Sequence, residues 1–251
     1  METAEQRHAE GPDVRNRLAI ALDVDDIVEA TRIAKAVRPW FGVAKIGLEL
    51  YTASGPDAIV ALQERGFRVF LDIKLHDIPT TVRKAAQVAG GLGVSYLTIH
   101  ATGGPALLRA GVDGLADGAN NAGLPAAKAL AVTVLTSERD APADVLRRRV
   151  QAALEAGCGG LVCAAADLAA VRMLAPRLTT VVPGIRAAGA PPDDQGRVAT
   201  PVDALDAGAD LLVIGRAVTG ASDRAAAAAA LVGELPLERR GPASDAAGTS
   251  R

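Results

Sequence analysis

The sequence predicts an α/β protein built as one (β/α)8 TIM barrel, and three observations carry that expectation. Eight short, apolar, β-rich runs recur along the chain, helix-like segments separate them, and 251 residues is the length such a barrel takes. Strands alternating with helices imply βαβ units, and near-continuous apolar strands belong to a parallel sheet covered on both faces. An open doubly wound sheet with this many strands normally needs a longer chain. No Gly-x-Gly-x-x-Gly follows the first run, which weakens a dinucleotide-binding reading further.

In chain order the runs are RLAIALDV, VAKIGL, RVFLDIK, SYLTIHA, KALAVTVL, GLVCAA, TTVVPGI and DLLVIG. After the first, DIVEATRIAKAVRPW sets Ile27, Ala30, Ala34 and Val37 on one helical face. GPDAIVALQERG, PTTVRKAAQVAGGLG, DVLRRRVQAALEAG and DLAAVRMLAPRL read as further helices, several closed by the glycine that commonly stops one. The barrel is expected over residues 16–237. Residues 1–15 and the Ala, Gly and Ser-rich stretch 238–251 read as flexible tails.

Composition narrows the function. Hydrophobic residues make up 49% and charged residues 22%, as in an ordinary soluble globular protein. Aromatics are only 2% and the net charge is -2, so neither stacking platforms nor a global field for nucleic acid or anionic membrane exists. Any anionic ligand must be held by local groups. Cys158 and Cys163 have no zinc or redox spacing, and Cys163, in the apolar GLVCAAA, reads as a buried small hydrophobe. The N-terminus has no apolar signal-peptide core, and no apolar run approaches the roughly 20 residues of a membrane span. The expected location is the cytoplasm, with no nucleic-acid or membrane partner.

A barrel carries its active site at the C-terminal ends of its strands, where polar residues should look out of place. They do. Strand one ends in Asp23, strand two carries Lys45, strand three ends in Asp72 and Lys74, and strand four ends in His100. Strand five ends at Thr136 and Ser137, strand seven runs into Gly184 and Arg186, and strand eight ends in Gly215 and Arg216.

Lysine is scarce here. Of 27 basic residues only Lys35, Lys45, Lys74, Lys84 and Lys128 are lysines, yet one stands beside the strand-three aspartates. Arginine cannot donate a proton near neutral pH, whereas an ammonium can. Positions i and i+2 of a strand share a face, so Asp72 and Lys74 should project together, with Asp77 in the loop just beyond. Two carboxylates around one lysine keep it a charged, fixed proton donor, suited to quenching a carbanion. They do not suit a Schiff base. The bland reading is a pair of buried salt bridges closing the barrel mouth. His76 and His100 read as polar packing, because no third metal ligand with suitable spacing accompanies them.

The last strands suggest a phosphate. VVPGIR and VIGRAVTG put Arg186, Gly215 and Arg216 on the loops after strands seven and eight, a common phosphate site in barrels. The long AAGAPPDDQGRVATP segment has the Gly and Pro content of a lid, with Gln195 inside it.

With these residues in place, LDIKLHDIPTTV resembles the signature of the orotidine 5′-phosphate decarboxylases. The resemblance extends through IALDVDD, VAKIGLEL, TIHATGG, TVLTS, VVPGIR, DDQGRVATP and GADLLVIGRAVT, in the order of the bacterial type, and leaves the tails uncovered. It implies metal-free and cofactor-free decarboxylation of orotidine 5′-monophosphate to UMP in pyrimidine biosynthesis, by a homodimer with shared sites. Asp72, Lys74 and Asp77 would form the catalytic array, with Lys74 protonating C6 and Asp77 reaching across from the partner, followed by Ile78 and Thr81. Asp23 and Lys45 would hold the ribose, Thr136 the pyrimidine, and Gln195, Arg216, Gly215 and Arg186 the phosphate. Two rivals remain. One is a magnesium-dependent sugar-phosphate enzyme of the same barrel type, which carries a glutamate where this chain has Lys45. The other is a non-catalytic phosphate- or nucleotide-binding barrel.

Overall fold

A computed structural model describes residues 14–135, 143–186 and 199–235. The expected tail 238–251, residues 1–13 of the expected tail 1–15, Thr136, Ser137 and most of the expected lid with Gln195 lie outside the described residues, whereas Val14 and Arg15 belong to a helical turn, Val14–Arg17, that leads into the first strand. The eight expected strands form one closed parallel barrel in sequence order, with β8 returning to β1.

The strands are β1 Leu18–Leu22, β2 Val43–Ile46, β3 Arg68–Leu75, β4 Tyr96–His100, β5 Lys128–Val132, β6 Gly160–Val162, β7 Thr179–Ile185 and β8 Leu211–Ile214. The helices are α1 Ile27–Val37, α2 Leu48–Ser54, α3 Pro56–Gln63, α4 Pro79–Gly91, α5 Gly104–Asn121, α6 Ala143–Ala156, α7 Leu168–Leu174, α8 Pro201–Asp206, α9 Arg216–Thr219 and α10 Arg224–Gly233.

Alternation along each strand sorts the core into two parts. Leu18, Ile20 and Leu22 point outward beneath the helices, while Ala19 and Ala21 point into the barrel with Val43, Phe70, Tyr96, Leu130, Val181, Leu211 and Val213. Phe70 and Tyr96 meet edge to face at 5.9 Å within this inner cluster, a packed core of the kind barrels of this type carry. Two residues further along β2, β3 and β4 the inward positions are Lys45, Asp72 and Thr98, whereas on β5 and β7 they are Val132 and Pro183. The interior therefore changes from apolar to polar and charged on one side of the C-terminal end, where the barrel opens.

The helix over 104–121 is not among the segments the sequence predicts, because Gly111, Gly114 and Gly118 depress its propensity. Packing decides otherwise. A methyl group on Gly114 or Gly118 would collide with the backbone carbonyl of Arg83 or Gln87 on α4, and one on Gly90 with the carbonyl of Leu115. The glycines let α4 and α5 approach backbone to backbone. Among the described residues no helix is long and apolar enough to cross a membrane.

Candidate active site

The C-terminal mouth of the barrel opens into a cavity of about 530 Å³ lined by residues from β1, β2, β3, β5, β6, β7 and β8 and the segments that follow them. Seven of the residues to which the resemblance gives a role line it: Asp23, Lys45, Asp72, Lys74, Arg186, Gly215 and Arg216.

Four of them form one run of alternating charge. Lys45 Nζ lies 2.8 Å from Asp23 Oδ1 and 3.7 Å from Asp72 Oδ2, and Lys74 Nζ lies 2.9 Å from Asp72 Oδ1. The middle of the run is the most enclosed, with the side chains of Lys45 and Asp72 9% and 15% exposed against 34% for Lys74 and 57% for Asp23. A carboxylate as enclosed as Asp72 is costly unless paired and hydrogen-bonded, and it is both. Two ammonium groups flank it, and the Thr98 hydroxyl donates to Oδ1 at 3.0 Å. Gly47 makes room for this chemistry, since a methyl there would stand 2.7 Å from Asp23 Oδ1 and 3.1 Å from Lys45 Nζ.

Asp72 and Lys74 do meet, but not through the regular alternation expected of a strand. Lys74 has φ 46°, and among the described residues it is the only non-glycine with positive φ. The β3–β4 register slips between Leu71 and Leu75. A left-handed lysine costs about 1–3 kcal/mol and persists only where the surroundings hold it. The expectation of a simple shared face is therefore corrected: a local irregularity in β3, invisible to period-two reasoning, aims the side chain.

Asp77, Ile78 and Thr81 stand apart from the cavity. Asp77 Oδ1 accepts the Ile78 amide at 2.6 Å, and all three residues are exposed, Ile78 to 65%. Pro79 explains the local shape, because the residue before a proline avoids helical ψ, and Ile78 is extended at ψ 148° where α4 begins. His76 and His100 face each other at 5.6 Å between ring centroids, and His100 Nδ1 pairs with the Thr102 hydroxyl. Among the described residues no group of three or more His, Cys, Asp or Glu side chains is arranged to hold a metal.

On the far side of the cavity, Gly184 adopts φ 77° where the β7–β8 register slips. That turn lets Ala199 donate to the Gly184 carbonyl while the Arg186 amide donates to Ala199, fastening the returning chain beside Arg186. Arg186 is buried at 7% exposure, whereas Arg216 is exposed at the start of α9. Cys163 is buried as expected, in the cavity wall.

Sequence reasoning missed Thr98 and Gly47. Neither carries a charge, so neither broke the apolar pattern of its segment.

The chain also resembles known proteins. A family model described as "Orotidine 5'-phosphate decarboxylase / HUMPS family" matches residues 16–231. An orotidine 5′-phosphate decarboxylase of Thermobifida fusca is 46% identical over 230 residues, covering 87% of this chain and 95% of that one. One from an Anaeromyxobacter species is 45% identical, covering 87% and 98%. The crystal structure of orotidine 5′-phosphate decarboxylase from Lactobacillus acidophilus superposes with a TM-score of 0.75 at 31% identity, over 88% of this chain and 99% of that one.

Proposed function

The chain belongs to the orotidine 5′-phosphate decarboxylase / HUMPS family, and on that premise we propose that it is a carboxy-lyase converting orotidine 5′-monophosphate to UMP in pyrimidine biosynthesis. The observation that carries the mechanism is the run Asp23–Lys45–Asp72–Lys74 across the mouth of the cavity.

Each group then has a task. The substrate phosphate is held by Arg186, Gly215 and Arg216 together with Gln195, and the ribose hydroxyls by Asp23 and Lys45. Thr136 meets the pyrimidine. Phosphate binding remote from the reacting carbon supplies energy to align the ring. Asp72 lies beside the substrate carboxylate and disfavours the bound ground state by like-charge repulsion. The bond from C6 to the carboxylate carbon breaks, CO2 departs, and the electron pair stays on C6. Lys74 stabilises that charge, transfers a proton to C6 and regains one from solvent. Enzymes lower barriers by roughly 8–23 kcal/mol, and this step calls on the upper part of that range.

The reaction needs no metal in this reading. The Lys45 ammonium lies 2.8 Å and 3.7 Å from two carboxylates, and its positive charge would repel a divalent cation there. The working unit is a homodimer in which Asp77, Ile78 and Thr81 of each chain complete the other's site. Their exposure to solvent and their absence from the lining of their own chain's cavity support that arrangement.

EDTA-treated protein should consume orotidine 5′-monophosphate, followed by the ultraviolet change to UMP. Activity only on a sugar phosphate with added magnesium would move the chain to its metal-using relatives, and nucleotide binding without turnover to a binding barrel. The same assay tests the shared site. Mixed Lys74→Ala and Asp77→Ala chains, each inactive alone, should recover about a quarter of full activity through subunit exchange, given one intact site per mixed dimer. No recovery, with exchange verified, places Asp77 in its own chain's site.

A further inference from the structure

Thr98, at the centre of β4, has no exposed surface, and its hydroxyl makes two hydrogen bonds. It accepts the Lys74 amide at 2.9 Å and donates to Asp72 Oδ1 at 3.0 Å. The directions are forced, since an amide only donates, an ionised carboxylate only accepts, and a hydroxyl has one hydrogen to give. Asp72 Oδ1 in turn accepts from Lys74 Nζ at 2.9 Å. The contacts close a ring: Lys74 amide, Thr98 hydroxyl, Asp72 carboxylate, Lys74 ammonium.

That ring holds one lysine at both ends. The amide lies where the β3–β4 ladder slips, so a side chain rather than a strand partner satisfies it. It also belongs to the residue at φ 46°, whose backbone needs its surroundings to stay in place. We propose that Thr98 is a positioning residue for the decarboxylation, fixing through one oxygen atom both the backbone turn that aims Lys74 and the carboxylate oxygen that holds its ammonium. The inference rests on the reading of Lys74 as proton donor. A buried valine has the same shape as threonine but lacks the hydroxyl, so it leaves the Lys74 amide unpaired and frees Asp72 to rotate toward Lys45.

The test compares Thr98→Val and Thr98→Ser with the unsubstituted chain, each normalised to folded protein. Valine should lower kcat roughly 10- to 100-fold, the scale of a small misplacement of a reacting group, while KM stays within about threefold. Serine, which keeps the hydroxyl, should return kcat to within about threefold of the parent. A threonine that only fills space predicts the reverse, with valine active and serine, short of a methyl group, the less stable variant. Hydrogen exchange of the Lys74 amide gives a second readout and should be faster in the valine variant than in the serine variant. Equal kcat in parent and valine variant, or serine no better than valine, overturns the inference alone. An inactive parent overturns the decarboxylase reading and takes this inference with it. If valine yields no folded chain, Thr98→Ala against Thr98→Ser makes the same comparison.

Discussion

Both ends of the barrel pair an aspartate with cations, yet they do so to different ends. At the N-terminal end, Asp210 accepts from Arg172 at 2.6 Å, from the Thr180 amide at 2.8 Å and from the Thr180 hydroxyl at 3.1 Å. The rest of the Arg172 guanidinium turns inward as well, donating to the carbonyls of Gly208 and Leu178. This cluster ties α7 to the starts of β7 and β8. At the C-terminal end, Asp72 is held just as closely, but Lys45 and Lys74 both line the open cavity, and Lys74 sits on a strained backbone. The same pairing staples one end and stays available to a ligand at the other. What differs is where the remaining donors point.

The contrast is broken most directly at Lys74. Lys74→Ala should lower kcat/KM by about 10⁴-fold or more, losing the proposed proton donor and its charge together, while UMP binding remains measurable by calorimetry. Melting should move little, because Asp72 keeps Lys45 and Thr98 as partners. Turnover within tenfold of the parent would remove Lys74 from the chemistry.

Arg172→Ala should do the opposite. Arg172 is 26% and Asp210 40% exposed, so solvent discounts the ion pair to about 1 kcal/mol, and the lost bonds to the carbonyls of Gly208 and Leu178 bring the total to about 2–3 kcal/mol. That corresponds to a fall in Tm of about 5–10 °C, with kcat/KM of the folded enzyme within about threefold. A loss of kcat without a loss of stability would erase the distinction between the two ends.

The smallest expected effect concerns Cys158, also at the N-terminal end, ahead of β6. Burial pushes its thiol from 9.0 up to about 12, against a smaller opposing pull from the Arg109 guanidinium. The folded state holds this proton after the unfolded state has lost it. The thiol's contribution is therefore full below about pH 9 and drains away as pH rises from 9 toward 12. The decline is at most about 1.4 kcal/mol per pH unit. Urea melts of the parent and Cys158→Ala at about pH 8 and pH 10 isolate it from other alkaline titrations. Parallel changes in the two proteins would show that the thiol is not held neutral by the fold.

Much of the molecule is legible in its residues alone. The apolar runs register as strands because burial on both faces leaves a continuous signal. Asp23, Lys45, Asp72 and Lys74 register because a charge at the end of such a run has no packing reason to be there. The helix over Gly104–Asn121 does not register, since its glycines serve a neighbouring backbone rather than their own helix. Thr98 does not register either, because threonine is an ordinary strand residue and its hydroxyl matters only through two residues of the adjacent strand.

The sequence by itself determined the eightfold strand–helix alternation and the charged identity of the strand ends, because hydrophobic period and residue chemistry are local properties. Only the tertiary structure decided which of those charges touch, that Lys74 turns out of strand geometry to reach Asp72, and that Asp77 stays on the rim of its own chain. Those outcomes depend on distances between residues far apart in sequence and on one backbone torsion that neighbouring strands hold in place. No local pattern encodes either.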